Sequence, residues 1–133
     1  MLKETSERIV RHYLLVGLGG FLGANLRFWL ATRVAARFGT AFPYGTLIIN
    51  VSGSFLIGLI LAYLLRHPSR SDAYRLFLTV GFLGGYTTFS SFAFESLSLI
   101  QRDASMLALI NLVGSVLLGL AAVTIGYTLG HAI

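Results

Sequence analysis

The chain has 133 residues, of which 56% are hydrophobic and only 11% charged, with a formal net charge of +5 and no cysteine. About a quarter of the residues are charged in an ordinary soluble domain, so this composition excludes one and argues for an integral membrane protein. The missing cysteines exclude disulfides, thiolate nucleophiles and cysteine metal sites.

A chain of this length holds about four spans of roughly 20 residues and leaves no room for a separate soluble domain. Four apolar segments can be read, at about 13–34, 45–65, 76–100 and 104–130. They do not alternate in the short segments of a membrane barrel, so each reads as a helix. The fold class is an all-α integral membrane protein, and residues 1–133 form one transmembrane domain. The start, "MLKETSERIVRHYLLVGLGG", continues past the length of a signal peptide into a full span and reads as uncleaved.

Basic residues sit mostly between the spans, where they meet lipid headgroups. Nucleic acid binding is therefore not expected. Four spans put both termini on one face with the second loop. That face collects Lys3, Arg8, Arg11, Arg66, Arg70 and Arg75, against Arg33, Arg37 and Arg102 on the other. The bias favours termini inside, but it is modest enough to be compatible with insertion in both orientations.

In the first span, "GLGGFLG" lacks the preceding strand of a dinucleotide-binding loop and is read as membrane helix. Gly19 and Gly23, Gly81 and Gly85, and Gly126 and Gly130 lie four apart, the spacing that lets helices approach closely in lipid. Arg27 is the first span's deep charge. In the second span, Thr46, Asn50 and Ser54 share one face. A carboxamide has four hydrogen-bonding sites to satisfy, so Asn50 is either interhelical glue or a solute contact. Ser52, Ser54 and Thr124, taken singly, read as interhelical hydrogen-bonders.

The third span carries "GFLGGYTTFSSFAFE", residues 81–95. Its glycines and hydroxyls permit either a helix break with freed carbonyls or a kink with hydroxyls bonded back to the helix. Thr88, Ser91 and Glu95 form one stripe, and Phe89 and Phe92 form another. Those rings are either packing residues or, through their positive edges, anion contacts. Arg27 and Glu95 are expected to pair as a buried structural salt bridge, in preference to direct solute chemistry, because an unpaired Arg at depth is costly. In the fourth span, Asn111 and Ser115 share a face. His12, His67 and His131 form no ligand cluster, and no nucleophile stands beside a base, so no enzyme is expected.

The residues 81–95 closely follow the signature of the Fluc-type (CrcB) fluoride channels: glycine, phenylalanine, a glycine pair, a Thr-Thr-Phe-Ser run and a second phenylalanine. "GGFLGANLRF" and "GTLIINVSGSFLIG" in the first two spans are similar to that family as well. The resemblance covers the whole chain. It implies four helices per subunit with the third broken, and an antiparallel, dual-topology homodimer with two pores in a bacterial inner membrane. Phe89 and Phe92 would be the pore phenylalanines and Asn50 the pore asparagine, with Thr46 and Ser115 on a polar track. Main-chain oxygens of Gly84 and Thr87 would hold a structural, untransported Na+ at the dimer centre. Arg27 and Glu95 match charged positions of the family. The implied activity is passive fluoride export that relieves toxicity.

Two other classes fit a small four-helix membrane protein. A proton-coupled multidrug exporter wants a cavity carboxylate, ideally in the first span, where this chain has Arg27. A non-transporting assembly subunit would pass no ion at all.

Overall fold

A computed structural model describes the backbone of residues 2–68 and 71–133, and the side chains of 5–68 and 72–133. Arg70 and the side chain of Lys3, both part of the charge bias, lie outside the described residues. Four helical stretches are long and apolar enough to cross a membrane: Thr5–Phe38, Tyr44–Arg66, Asp72–Gln101 and Ser105–Ala132. The described residues contain helices and no strand.

Helix α1 spans Leu2–Phe38, 37 residues. At 1.5 Å per residue that is about 55 Å, against a hydrocarbon core of about 30 Å. The sequence pattern placed its start near residue 13 because hydropathy reports depth in the membrane, whereas the preceding charged residues extend the same helix beyond it. Gly39 ends α1 with a positive φ of 76°, a conformation cheap only for glycine. Near this end the Arg33 guanidinium lies 5.6 Å from the centre of the Trp29 ring, a pairing suited to a headgroup boundary.

Helix α2 spans Tyr44–Arg66. The third span is composite. A short α3, Ser71–Tyr74, leads into a nine-residue π-helical segment, Arg75–Leu83, and then α4, Gly84–Tyr86. Thr87 and Thr88 are extended, with φ/ψ of −81°/157° and −150°/117°. Helix α5 follows as Phe89–Gln101 and α6 as Ser105–Ala132. The π-helical turns were not foreseen. Wider turns of this kind cluster at functional sites, and here Thr79 Oγ1 donates to the Arg75 carbonyl inside them at 2.6 Å.

Helices α2 and α6 pack extensively on one another, α1 packs on the first half of the third span, and α5 packs on α6. Lipid is as apolar as leucine, so close van der Waals contact has to hold these helices together. The glycine pairs provide it. A Cβ on Gly85 would lie 2.6 Å from the Gly20 carbonyl, and one on Gly81 would lie 2.7 Å from the Val16 carbonyl. Gly23 faces the Phe82 backbone in the same way, and Gly126 faces that of Phe55. All three glycine pairs are thus used within one chain, between α1 and the third span and between α2 and α6. A buried cluster of Ile49, Leu83 and Tyr86 sits at the centre, flanked by Leu30, Leu56, Ile57 and Phe82.

This packing makes a direct prediction. Gly85→Ala places a methyl inside van der Waals contact of the α1 backbone, where no flexible side chain can move aside. The yield of folded protein in size-exclusion chromatography should fall sharply. Gly17→Ala and Gly114→Ala, with open space at the added Cβ, should leave it unchanged.

Candidate functional site

Two extended residues in a membrane span release backbone groups that a continuous helix would bond internally, and those groups need partners. Asn50 supplies two of them. Its Oδ1 accepts from the Thr88 amide at 2.9 Å and its Nδ2 donates to the Thr88 carbonyl at 3.0 Å. The carboxamide thus pairs with Thr88 as a neighbouring strand would. One of its two N–H donors is used in that pairing and the other remains.

The hydroxyls complete the turn. Thr87 Oγ1 donates to the Leu83 carbonyl at 2.8 Å, which is the back-bonded arrangement. Thr88 is the N-cap of α5: its Oγ1 accepts from the Ser91 amide at 3.3 Å and donates to Ser91 Oγ at 3.1 Å. Thr88 therefore caps the helix instead of extending a stripe along it to Glu95. Because its amide goes to Asn50, the Gly84 carbonyl loses the partner it would have four residues on.

A pocket of about 420 Å³ lies against this turn. Asn50, Gly84, Thr87, Phe89, Phe92 and Ser115 all line it, together with Ser54, Thr79 and Thr88. Of the nine residues to which the family resemblance gives a place, six meet there, from α2, α4, α5, α6 and the extended turn. The two rings stand 5.7 Å apart at 51°, a tilted arrangement in which their edges and faces differ in charge. Phe92 is 9% exposed and Phe89 79%, so the pair runs from the interior of the chain to its outer surface.

Thr46 and Glu95 lie elsewhere. They line a second pocket of about 260 Å³ near the start of α2, with Tyr44, Phe42 and Arg102. Thr46 Oγ1 donates to Glu95 Oε1 at 2.8 Å. The other carboxylate oxygen, Oε2, is buried and has no hydrogen-bond partner among the described residues.

The expected Arg27–Glu95 pair is not formed. Arg27 Nε donates to the Gly85 carbonyl at 3.1 Å. The close approach of α1 to α4 gives Arg27 an acceptor before the extended residues, while Glu95, beyond them on α5, has its donor in Thr46.

A buried chain of hydrogen bonds supports the site from behind. Ser115 Oγ donates to Asn111 Oδ1 at 3.3 Å, Asn111 Nδ2 donates to Ser96 Oγ at 2.9 Å, and Ser96 Oγ donates to the Phe92 carbonyl at 2.7 Å. Asn111 is 1% exposed. Sequence reasoning found Asn111 by its spacing from Ser115 and missed Ser96, which lies four residues after Phe92 on the same face of α5. It also missed Tyr86, whose buried hydroxyl shares a 2.9 Å hydrogen bond with Ser52.

A family model described as CrcB-like protein, Camphor Resistance (CrcB), matches residues 14–127, from α1 into α6. The chain belongs to the CrcB-like family. It is 48% identical over 124 residues to a Thermus thermophilus protein named fluoride-specific ion channel FluC, covering 93% of this chain and 97% of that relative. A Solibacter usitatus protein of the same name is 46% identical over 119 residues, covering 90% and 98%. Another from Rhizobium meliloti is 43% identical over 123 residues, covering 92% and 98%. With four membrane-length helices, this CrcB-like chain is a multi-pass membrane protein.

The buried chain behind Phe92 predicts a stability effect. Asn111→Leu keeps the branched shape and heavy-atom count and takes from Ser96 its donor and from Ser115 its acceptor. It should lower stability in detergent by about 1–3 kcal/mol, measured by thermal unfolding. Ser98→Ala, away from this network, should change stability little.

Proposed function

We propose that this chain is a fluoride-selective channel that passively exports fluoride from the bacterial cytoplasm. The observation that carries the reading is the single pocket gathering Asn50, Phe89, Phe92 and Ser115, in a chain whose relatives are named fluoride-specific ion channels. Hydrogen fluoride is a neutral weak acid that crosses membranes and dissociates inside, so the anion accumulates. A passive pore lets it leave down its gradient, and no catalytic step is required.

Fluoride is small and strongly hydrated, so the lining must replace water at close range. The remaining N–H of Asn50 is a donor, the edges of Phe89 and Phe92 carry partial positive charge, and the hydroxyls of Ser115 and Thr46 would donate to the ion by rotating away from Asn111 and Glu95. None of these is a full cation, which would hold the ion too tightly for release. The polar track runs from the large pocket to the smaller one, where Thr46 and Glu95 form a vestibule.

The functional unit in this reading is an antiparallel homodimer with two pores. Phe89 supports it: one ring of the pair is 79% exposed on the single chain and needs a second surface to complete a path. Gly84 and Thr87 supply main-chain oxygens to a structural sodium between the subunits. The donor chemistry fits, since carbonyls are hard oxygen ligands, and the Gly84 carbonyl has lost its helical partner to the Asn50–Thr88 pairing. Bound there, the ion would supply fixed positive charge that ties the two interrupted turns together.

A proton-coupled exporter of lipophilic cations is disfavoured by size. The pocket holding Glu95 is about 260 Å³, below the range of roughly 300–1,000 Å³ typical of drug-sized sites.

Three outcomes test this reading. Phe92→Ile removes the ring edge, and Asn50→Asp turns the donor facing the Thr88 carbonyl into an acceptor. Each should cut fluoride flux at least about tenfold, the loss expected for one well-placed hydrogen bond, while the dimer still assembles; parent-like flux in both variants removes the pore assignment. A cysteine at one terminus should be labelled by an impermeant reagent from both sides of the membrane, and labelling from one side alone rules out dual topology. Strictly sodium-free buffer should weaken the dimer in size-exclusion chromatography and lower flux; unchanged behaviour argues against the sodium.

A further inference from the structure

The interrupted turn is held from two sides. On the α2 side, Gly53 faces the Thr87 side chain, and Asn50 pairs with Thr88. On the α1 side, Gly19 and Gly23 let the two backbones approach until Arg27 Nε reaches the Gly85 carbonyl, 58 residues away in sequence. In an unbroken helix that carbonyl would accept from the Phe89 amide. With Thr87 and Thr88 extended, α4 ends at Tyr86, and the Gly85 carbonyl is one of the acceptors such an end leaves over.

We propose that Arg27 is a positioning residue for the fluoride path: it caps the end of α4 and thereby sets the turn that aims Gly84, Thr87 and Phe89 into the pocket. It does not line that pocket, so it acts through the backbone and not by touching the ion. A cation is suited to this place. The C-terminal end of a helix carries partial negative charge, and a guanidinium complements it while meeting an acceptor that lipid cannot satisfy. Arginine fits better than lysine, since its fixed planar N–H groups are less strongly hydrated and lose less on leaving water. The pairing also accounts for a charge in the middle of α1 that Glu95 leaves without an ionic partner.

The two clamps differ in what they fix. Asn50 holds the residue that starts the second half of the span, and Arg27 holds the residue that ends the first. Losing the first frees Thr88 alone. Losing the second lets Gly85 and Tyr86 fray and shifts the start of α5 with them. The effect is local, because α2 and α6 make their own extensive contact.

The flux part of this inference rests on the channel reading; its structural part does not. Backbone hydrogen exchange would be measured on the purified, sodium-loaded protein in lipid nanodiscs. In Arg27→Gln the amides of residues 86–90 should exchange about tenfold faster than in the parent, the scale of one charge-assisted hydrogen bond, while α2 and α6 keep parent rates. Arg27→Lys keeps a cation with donors and should restore most of the protection. Fluoride flux should fall by a similar factor in Arg27→Gln and recover in Arg27→Lys. Parent-like exchange at 86–90 in Arg27→Gln overturns the proposal, as does a change spread evenly over all four helices, which would mark a general packing role. If Arg27→Gln does not assemble, Arg27→Lys decides: parent-like protection at 86–90 supports the cap, and loss of protection there overturns it. A parent that passes no fluoride would instead remove the channel reading and leave the exchange result standing.

Discussion

A bare amide or carbonyl in hydrocarbon costs several kcal/mol, and the two extended residues Thr87 and Thr88 would bare several at once. Most of what surrounds them follows from that constraint. Asn50 is spent on the Thr88 backbone, Thr87 and Thr88 turn their hydroxyls back onto their own chain, and Arg27 crosses from α1 to Gly85. Each partner comes from a different element, so the turn ties α1, α2 and the third span together. Polar side chains are brought to membrane depth by this need, and the same side chains then line a pocket.

Glycine makes those bonds reachable. Arg27 can cap α4 because Gly19, Gly23 and Gly85 leave no side chains between the two backbones. Thr87 fits beside α2 because Gly53 leaves space there. Hydrogen bonding and close packing are therefore one design: the packing sets the distances, and the bonds give lipid-buried backbone its partners. The glycine pairs are used inside one chain, between α1 and the third span and between α2 and α6.

Much of this was legible in the amino-acid sequence. Composition gave the membrane class and segment hydropathy gave four helices, because burial in lipid selects residues strongly. The "GGYTTFSSF" run marked the site through residues that are out of place in hydrocarbon. Element ends were harder: hydropathy reports depth and not helicity, so α1 begins well before residue 13. The π-helical turns left no composition signal. The Arg27–Glu95 pair failed because charge complementarity alone ignores nearer neutral acceptors, a carbonyl for one and a threonine hydroxyl for the other. Ser96 and Tyr86 were missed because a lone hydroxyl in a span is ordinary until its partners are known.

The central claim is a passive, selective anion path, and charge movement tests it most directly. Sealed liposomes containing only this protein would be loaded with potassium fluoride and followed with a fluoride electrode. A channel moves the bare ion, so efflux should stall on the opposing membrane potential and run to completion once a potassium ionophore is added; chloride-loaded vesicles should stay closed under the same conditions. Complete fluoride efflux without the ionophore, or chloride efflux as fast as fluoride, would contradict the account.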